Sequence, residues 1–343
     1  MDRTSRTVQI VRPRQVSVVG RAVKSPGSHE VLVKSIVSGI SAGTEMNVYR
    51  GSAPQWRERF DPSTRLFLHE GEPDFAYPIA YGYANVGTID AIGSEVTRLK
   101  RGDVVFTFSP HQDWSIVDAS EVVPLPPLRS MEHGVLLANV NTALNGVLDA
   151  RPALASSLVV IGLGVIGLLV VQLARAAGAS YVAAVDPVEH RRMMALRLGA
   201  SEAFAPSPTV AEAVRARTAN RGADVVVEVS GAPTALNEAI RIVGRDGLVV
   251  AMSWYSGSFE GLNLSGEFHH NRVRIHASQV DDVNPGLGPL WSTERRMSAA
   301  LSLLNTLELD PLFTHRFPVD QAAEAYRCVD DLREGLIQCV LTY

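Results

Sequence analysis

Cysteine is scarce in this 343-residue chain, which contains only Cys328 and Cys339, both close to the C-terminus. Two cysteines exclude a disulfide framework and a cysteine-rich zinc site, and they predict a reducing, cytoplasmic environment. Long hydrophobic runs are also missing, because the longest apolar stretch, 158–171, is fourteen residues long and contains three glycines. A bilayer-spanning helix needs about 20 apolar residues, so no membrane helix is expected.

Neither sign of charge is in large excess, since the formal net charge is -4 and no run rich in lysine or arginine occurs. The chain is therefore not expected to bind nucleic acid or an anionic membrane. Its first ten residues, MDRTSRTVQI, have no apolar stretch after their charges and do not predict a signal peptide. With 46% hydrophobic and 20% charged residues, the composition is that of a globular protein long enough for two domains.

The first 125 residues are predicted to be mainly β structure. Short β-branched segments alternate with turn sequences such as Ser-Pro-Gly at 25–27, a spacing typical of a small barrel or sandwich. The predicted strands are 16–19, 30–37, 86–92, 104–108 and 114–117. The polar stretch between Tyr49 and Tyr77 has no clear period and predicts a long loop that is able to cover a pocket.

From about residue 130, apolar residues take helical spacing, and strands then alternate with helices. Fully apolar strands separated by helices are typical of a parallel sheet that is covered on both faces. The predicted strands are 158–161, 181–186, 223–230, 247–252, 273–278 and 337–342. The predicted helices are 131–148, one that ends at 177, 188–198, 210–219, 233–243 and 321–330.

The stretch VVIGLGVIG places Gly162, Gly164 and Gly167 in GxGxxG spacing between a predicted strand and a predicted helix. Such glycines permit a tight turn, a close approach of the backbone to a pyrophosphate and a close helix–strand contact. The N–H groups at the start of the helix favour phosphate. Three glycines alone are compatible with simple packing, but this context favours a dinucleotide-binding loop. Its other predicted cofactor contacts are Leu163, Val165 and Ile166.

Asp186 ends the next predicted strand, about 20 residues after the loop, where a carboxylate hydrogen-bonds the ribose hydroxyls of NAD. Because it would repel the 2′-phosphate of NADP, NAD is the favoured cofactor. Arg191 and Arg192 argue for NADP unless they form a solvated helix face, and Arg191 is kept as a candidate cofactor contact. Residues after the later strands also face ligands in doubly wound folds. The candidates there are Ser230, Ser253 and Trp254.

Further motifs cover essentially the whole chain. They are GISAGTE at 39–45, GYANVGTIDAIGSEV at 82–96, RLKRGDVV at 98–105, VVVEVSG at 225–231, THRF at 314–317 and the ending with AAEAY at 322–326 and IQCVL at 337–341. Together with the dinucleotide loop, these motifs resemble the medium-chain dehydrogenase/reductase superfamily. The resemblance implies an α/β fold in which a doubly wound Rossmann domain, 129–280, is inserted into a GroES-like β-barrel catalytic domain, 1–128 and 281–343. It also implies an active site in the cleft between the domains and assembly as a homodimer or homotetramer.

The positions that carry zinc ligands in this superfamily differ in this chain. Ser41 stands where zinc members have cysteine, Tyr83 stands where they have histidine, and Asn139 is the nearest match to the third ligand. Serine, tyrosine and asparagine do not make a zinc site, so no zinc is expected. GISAGTE, GYxxVG and SWY at 253–255 most resemble the zinc-lacking branch typified by bacteriochlorophyllide hydroxyethyl dehydrogenase.

Without a metal, hydrogen-bond donors must stabilise the charge that develops on the reacting oxygen. Tyr83 is the first candidate, because a phenol with a pKa of about 10 can donate to a carbonyl oxygen, although it can also simply fill the metal's space. Thr44 matches the hydroxyl that starts the proton relay of zinc enzymes. Glu45 matches the acid beside it, with an ion pair to an arginine as the alternative. His111 is a substrate contact, a proton relay or a solvated surface residue.

The candidate substrate contacts are Ser41, Asn139, Tyr255 and Gln279, and Ser41 is equally explained by turn chemistry. We therefore expect a cytoplasmic, zinc-independent, NAD(H)-dependent oxidoreductase that interconverts a secondary alcohol and a ketone. The expected substrate is a functionalised small molecule such as a sugar, a cyclitol or a biosynthetic intermediate. Two alternatives stay open at this point: an enoyl reductase that acts on C=C, and a nucleotide-binding protein without turnover.

Overall fold

The computed structural model describes residues 3–255, 261–332 and 334–343, and the chain forms two compact units. One unit comprises Met1–Ala138 and Leu309–Tyr343, and the other comprises Asn139–Glu308. The boundaries expected from the sequence lay after residues 128 and 280. The first observed boundary falls inside a continuous helix. The second follows a helix whose Arg296 is buried and bonded to other residues of the second unit, which explains why this helix belongs to that unit.

The N-terminal part of the first unit consists mainly of short antiparallel strands. Its strands are β1 (Thr4–Arg12), β2 (Gln15–Ala22), β3 (Glu30–Ile40), β4 (Arg59–Asp61), β5 (Leu66–Leu68), β6 (Asn85–Ile92), β7 (Val104–Thr107), β8 (Trp114–Asp118) and β9 (Val123–Pro124), and its helices are α1 (Thr44–Arg50) and α2 (Met131–Val135). Strand β1 was not expected from the sequence. Its hydrophobic pattern is hidden because the polar residues Ser5, Thr7 and Gln9 are themselves buried.

The stretch between Tyr49 and Tyr77 contains regular structure, in contrast to the long loop expected. A 3₁₀ turn covers Pro54–Trp56, and β4 pairs with β5 in an antiparallel hairpin. The rings of Phe60 and Phe67 lie 5.1 Å apart across this hairpin. With only three residues in each strand, the hairpin is too short to show a period in the sequence.

The second unit is a parallel sheet with helices. Its strands are β10 (Ser157–Ile161), β11 (Tyr181–Val185), β12 (Glu202–Phe204), β13 (Ala223–Glu228), β14 (Val243–Ala251) and β15 (Arg274–Ala277), and its helices are α3 (Leu137–Ala150), α4 (Val165–Ala176), α5 (Glu189–Arg197), α6 (Val210–Arg217), α7 (Pro233–Ile242), α8 (Glu267–His270) and α9 (Thr293–Leu303). The strand order is β12-β11-β10-β13-β14-β15, and every pairing is parallel. This is the doubly wound Rossmann order, which confirms the predicted α/β fold.

The strands of this sheet are buried as their continuous apolar sequences predict. All five residues of β10 are buried, as are Val226 in β13 and Val249 in β14. Strand β12 was missed in the sequence because it has only three residues, none of them fully buried. Among the described residues, no helix combines the length and the apolar composition that a membrane crossing requires.

The C-terminal segment belongs to the first unit and forms β16 (Phe313–Pro318), α10 (Ala322–Asp330) and β17 (Gln338–Thr342). The sheet order is β16-β17-β3-β6-β7-β9, with β8 also paired to β3. Strand β17 runs antiparallel to β3, so that Cys339 pairs with Ile40. Tyr326 of α10 lies in the same hydrophobic core cluster as Ile40 and Met46. The last residues of the chain therefore pack around the end of β3.

Candidate active site

The end of β3 leads through a short turn into α1, and Glu45 lies in the first turn of that helix. The carboxylate of Glu45 is fully buried, and its Oε1 accepts the N–H of Ser41 at 2.9 Å. The residue before the helix, Gly43, has no side chain to cap it. Glu45 thus satisfies a backbone donor of the turn, and its charge is favourable at a helix N-terminus. The turn 41–45 is held in one conformation by this bond.

Tyr83 lies beside the same turn. Its hydroxyl is hydrogen-bonded to the side chains of Ser41 and Thr44. Burial, together with the nearby charge of Glu45, raises the pKa of Tyr83 above the ordinary value of a phenol. A tyrosine with a raised pKa stays protonated at neutral pH, so its hydroxyl is available as a hydrogen-bond donor and not as a base.

Two further side chains reach the second oxygen of Glu45. Nε2 of His111 lies 3.0 Å from Oε2, and the hydroxyl of Tyr326 donates to the same oxygen at 2.9 Å. His111 and Tyr326 are both fully buried, so the interpretation of His111 as a solvated surface residue is wrong. The described partners of Glu45 include no arginine. Gly82 leaves room for the imidazole, because a Cβ there would lie 2.8 Å from Cδ2 of His111.

The other ring nitrogen of His111 extends this arrangement. Nδ1 lies 2.7 Å from Oγ of Ser38, and the same Oγ lies 2.7 Å from the hydroxyl of Tyr343. Burial raises the pKa of Tyr343, which keeps this hydroxyl protonated. A buried polar chain therefore runs from Tyr343 through Ser38 and His111 to Glu45.

Three residues of the hydrogen-bonded network around Glu45 and His111 were not predicted from the sequence: Ser38, Tyr326 and Tyr343. Ser38 precedes GISAGTE on β3, and its short polar side chain carries no spacing signal. Tyr326 and Tyr343 lie close to the C-terminus, and only the packing of α10 and the pairing of β17 with β3 bring them here. The motif AAEAY contains Tyr326, and its match to the superfamily was the one available hint.

The dinucleotide loop of the second unit has the geometry that its glycines predict. Gly162 has a φ of +94°, and a Cβ on Gly167 would lie only 1.8 Å from the carbonyl oxygen of Gly162. Gly164 caps α4, and a Cβ there would meet no atom within 4 Å. The first N–H groups of α4, which begins with Val165 and Ile166, have no acceptor within the helix. The loop therefore fits a dinucleotide, with open space beside a helix N-terminus for its phosphates.

Asp186 follows β11 and is 4% exposed. Its Oδ2 accepts the N–H of Leu163 at 2.7 Å, and its Oδ1 accepts the N–H of Val188 at 2.8 Å. The carboxylate thus ties the glycine loop to the end of the next strand. Arg192 donates to the carbonyl oxygens of Asp186 and Pro187, each at 2.8 Å, so its guanidinium is engaged with the backbone.

A second buried carboxylate, that of Glu228, lies at the carboxyl end of β13. It accepts hydrogen bonds from the N–H and the hydroxyl of Ser230 at 2.7 and 2.5 Å, and from the hydroxyl of Tyr255. Burial and the Glu228 charge raise the pKa of Tyr255. Ser253 accepts the N–H of Gly231 at 2.8 Å. The structure thus brings three predicted residues, Ser230, Ser253 and Tyr255, to one edge of the sheet around Glu228, which the sequence did not single out.

The structure does not place the remaining predicted residues of the second unit among the hydrogen bonds described for Glu228. Trp254 and Asn139 are half-buried, Asn139 in α3, and Arg191 is half-buried on α5. Gln279 is exposed, and its side-chain oxygen accepts the N–H of Asp281 at 2.6 Å. Their proposed roles stay predictions.

Arg296 was also missed in the sequence, because TERRM is typical of an exposed helix. The side chain is 2% exposed and donates to Oδ1 of Asn141 at 3.0 Å and to Oδ1 of Asn145 at 2.5 Å. It also donates to the carbonyl oxygens of Val280 and Asp282. Burial lowers the pKa of Arg296 from its ordinary value. This arginine ties the segment after β15 to α3.

Comparison with known proteins identifies the family. A sequence model of the family described as zinc-binding dehydrogenase matches residues 165–284. D-guloside 3-dehydrogenase from Escherichia coli strain K12 is 31% identical over 302 residues, which cover 85% of this chain and 86% of that protein. The chain belongs to the zinc-binding dehydrogenase family of the medium-chain dehydrogenase/reductase superfamily.

Other similar proteins are more distant. L-threonine 3-dehydrogenase from Pyrococcus abyssi is 28% identical over 338 residues, with 93% of each chain covered. Among solved structures, a protein described as a short chain alcohol dehydrogenase from Escherichia coli CFT073, complexed with NADH, has a TM-score of 0.79 at 20% identity over 99% of both chains. This likeness agrees with the parallel Rossmann sheet described above.

The family description implies zinc, and the side chains of this chain can be tested against that metal. Zinc prefers thiolate, imidazole and carboxylate ligands, whereas Ser41 and Tyr83 offer neutral hydroxyls that are hydrogen-bonded to each other. The nearby imidazole of His111 and carboxylate of Glu45 are also bonded to each other. Within the described ranges, no group of three or more His, Cys, Asp and Glu side chains could hold a metal ion. These donors do not fit a catalytic zinc.

Proposed function

We propose that this chain is a zinc-independent, NAD(H)-dependent oxidoreductase that interconverts a secondary alcohol and a ketone. The observation that carries the proposal is the Tyr83 hydroxyl, held by Ser41 and Thr44 at positions that the resemblance assigns to metal ligands and their neighbours. A hydroxyl fixed by neighbours before the substrate arrives is the kind of donor that stabilises a developing oxyanion. Membership of the zinc-lacking branch is part of the same proposal.

In this proposal the Tyr83 hydroxyl donates its hydrogen bond to the substrate oxygen, where charge develops. The raised pKa of Tyr83 keeps the phenol protonated before hydride transfer. In ketone reduction the phenol would pass this proton to the alkoxide oxygen, and the neighbouring Thr44 hydroxyl offers a path that replaces it. Alcohol oxidation would run both proton transfers in reverse. Bound NAD(H) would supply or accept the hydride at carbon. Glu45 and His111, which are fully buried, act through the turn 41–45 and not by touching the substrate.

NAD is proposed over NADP because of Asp186. A 2′-phosphate on the ribose would lie close to this carboxylate, and two negative charges at such a distance repel. Arg192, which argued for NADP, is bonded to two backbone carbonyls. The NADH complex of the Escherichia coli alcohol dehydrogenase shows the same kind of cofactor on the same fold, and it supports a nicotinamide cofactor here.

The proposed substrate is a hydroxylated small molecule such as a sugar, a cyclitol or a biosynthetic intermediate. The names of the relatives, D-guloside 3-dehydrogenase and L-threonine 3-dehydrogenase, support a dehydrogenase of this kind. A cytoplasmic location and a homodimer or homotetramer belong to the same proposal.

The decisive experiment combines metal analysis of the purified protein with a screen of polyols, sugars and amino-sugars, using NAD and NADP, with and without a chelator. We expect turnover with NAD, no stoichiometric zinc and no effect of the chelator. Stoichiometric zinc together with inhibition by the chelator would contradict the proposal. Reduction of an enone but not of a ketone would identify an enoyl reductase, and NADH binding without any turnover would identify a nucleotide-binding protein.

A further inference from the structure

The buried series of hydrogen bonds that ends at Glu45 includes residues other than those proposed to face a substrate. Ser38, Tyr343 and Tyr326 are connected through His111 and Glu45 to the turn 41–45 by hydrogen bonds of 2.7–3.0 Å. We propose that these three residues are positioning residues. Ser38 and Tyr343 hold the ring of His111 in the orientation that donates to Glu45, and Tyr326 holds the carboxylate itself, which in turn holds the turn beside Tyr83. The link to catalysis rests on the proposed function, whereas the link to His111 and the turn does not.

The direction of each hydrogen bond follows from the chemistry of Glu45. A carboxylate has acceptors only, so the group facing its Oε2 from His111 must be Nε2–H. With the hydrogen on Nε2, the other nitrogen, Nδ1, accepts, and the Ser38 hydroxyl must donate to it at 2.7 Å. The Ser38 oxygen then accepts from the Tyr343 hydroxyl, also at 2.7 Å. Every donor in this series has an acceptor, and all of the bonds point towards Glu45.

Tyr326 and the Ser41 N–H complete the set around the carboxylate. Oε2 accepts from Tyr326 at 2.9 Å and Oε1 accepts from Ser41 at 2.9 Å, so the carboxylate is held by three donors from three distant parts of the chain. The charge of Glu45 and burial both raise the pKa of Tyr326, so this hydroxyl remains a donor. The loss of any of these donors allows the carboxylate to rotate, and the backbone turn 41–45 is then expected to move with it.

Loss of the Ser38 hydroxyl is predicted to change the geometry of the turn 41–45 and of Tyr83. Without the Ser38 hydroxyl, Nδ1 of His111 is a buried acceptor without a donor, and the ring loses the bond that holds its orientation. The hydrogen stays on Nε2, because the carboxylate of Glu45 accepts it, but the ring is free to tilt away from Glu45. The turn and Tyr83 would lose their fixed geometry, and misplacement of a catalytic group by about 1 Å lowers turnover by about 100-fold.

The test uses Ser38→Ala, Tyr343→Phe and Tyr326→Phe in the full chain, with Tyr49→Phe as the matched control. Tyr49 lies in the same core cluster and 5.3 Å from the Tyr326 ring, but its hydroxyl donates to the carbonyl of Arg14. Two readouts need no activity: the ¹⁵N shifts of the His111 ring, which report the tautomer, and the amide proton shift of Ser41, which reports its bond to Glu45. A third readout is kcat and KM for the alcohol found in the substrate screen.

We expect the Nε2–H tautomer in the wild type and in the variants, because Glu45 accepts that hydrogen. The ¹⁵N shift of Nδ1 should move to that of an unbonded ring nitrogen in Ser38→Ala and should move less in Tyr343→Phe. In both variants and in Tyr326→Phe the Ser41 amide shift should move, and kcat should fall roughly 10- to 100-fold with little change in NADH affinity. Ser38→Thr, which keeps the hydroxyl, should restore the Nδ1 shift and kcat. Tyr49→Phe should change none of these.

An unchanged Nδ1 shift and Ser41 amide shift in both Ser38→Ala and Tyr343→Phe would overturn the inference. So would changed shifts with an unaltered kcat in an active enzyme, since the positioning role would then be absent. If Ser38→Ala does not fold, Tyr343→Phe decides alone, because it removes only one hydroxyl. If the wild type proves inactive, the proposed function fails, while the two spectroscopic readouts still decide whether these hydrogen bonds fix His111 and the turn 41–45.

Discussion

The two candidate sites are each organised around a fully buried carboxylate, yet they are assembled in opposite ways. Glu228 takes its hydrogen bonds from Ser230, two residues away, and from Tyr255, 27 residues away. Glu45 takes one from Ser41, four residues away, but the others come from His111 and Tyr326, 66 and 281 residues away. One site is local in the sequence, and the other is closed by distant segments.

This difference bears on how each site responds to change. A local site depends on the conformation of one strand, loop and helix, so mutations there are expected to change mainly ligand affinity. A site closed by distant segments depends on the packing of the whole unit, so mutations there are expected to change both the free energy of unfolding and kcat. The predictions below test that contrast.

The largest effect is expected for Gly167→Ala in the dinucleotide loop, which, like the Glu228 site, is local in the sequence. A Cβ at this position would lie 1.8 Å from the carbonyl oxygen of Gly162, so the loop and α4 must separate. We expect NADH affinity to fall by at least about 100-fold and stability to fall by roughly 1–3 kcal/mol, measured by NADH fluorescence titration and thermal unfolding. Gly164→Ala is the control, because a Cβ there meets no atom within 4 Å and the fold should be kept. Wild-type NADH binding by Gly167→Ala would contradict the prediction.

Tyr83→Phe should lower kcat by about 10²–10³ and leave NADH affinity unchanged, because only the donor to the substrate oxygen is removed. Steady-state kinetics and a cofactor titration check both halves of this expectation. Tyr181→Phe serves as the control, since its hydroxyl donates to Glu202 in the second unit. An unaltered kcat in Tyr83→Phe would show that the ring only fills space.

Glu45→Gln and Glu228→Gln compare the two carboxylates directly. An amide turns an NH₂ group towards a donor, and an unsatisfied buried group destabilises a fold by about 1–3 kcal/mol. His111 and Tyr326, the side-chain partners of Glu45, are fully buried and cannot reach water, whereas Ser230 is exposed and Tyr255 is half-buried. We therefore expect the larger loss of unfolding free energy, by urea titration, in Glu45→Gln. Equal losses would remove the contrast between the two sites.

The smallest effect is expected for Asp186→Ala on cofactor choice, where the preference for NAD over NADP should narrow by about fivefold, because the repulsion of a 2′-phosphate is worth about 1 kcal/mol even at the dielectric constant of water. The ratio of kcat/KM with the two cofactors measures it. Arg191→Ala is the paired variant. If it reduced the use of NADP while Asp186→Ala left the ratio unchanged, cofactor choice would lie with the arginine.

Elements with strong local patterns were predicted closely. Helix α7 was expected over 233–243 and is observed at Pro233–Ile242, and α10 was expected over 321–330 and is observed at Ala322–Asp330. The single helix expected over 131–148 is observed as α2 and α3, which are separated at Leu136. Strands β1 and β12 were missed, one because polar residues occupy buried positions and the other because it is too short.

By itself, the sequence determined the parallel sheet, the glycine loop and the carboxylate after β11, because each depends on residues that are close along the chain and on backbone geometry that only certain residues allow. It also placed Ser41, Thr44, Glu45 and Tyr83 in one region through their motifs. Only the tertiary structure decided what surrounds Glu45. A buried carboxylate is held by the donors that the fold packs against it. Strand β17 pairs with β3 and α10 packs nearby, and the donors that they bring close to Glu45 cannot be predicted from a local sequence pattern.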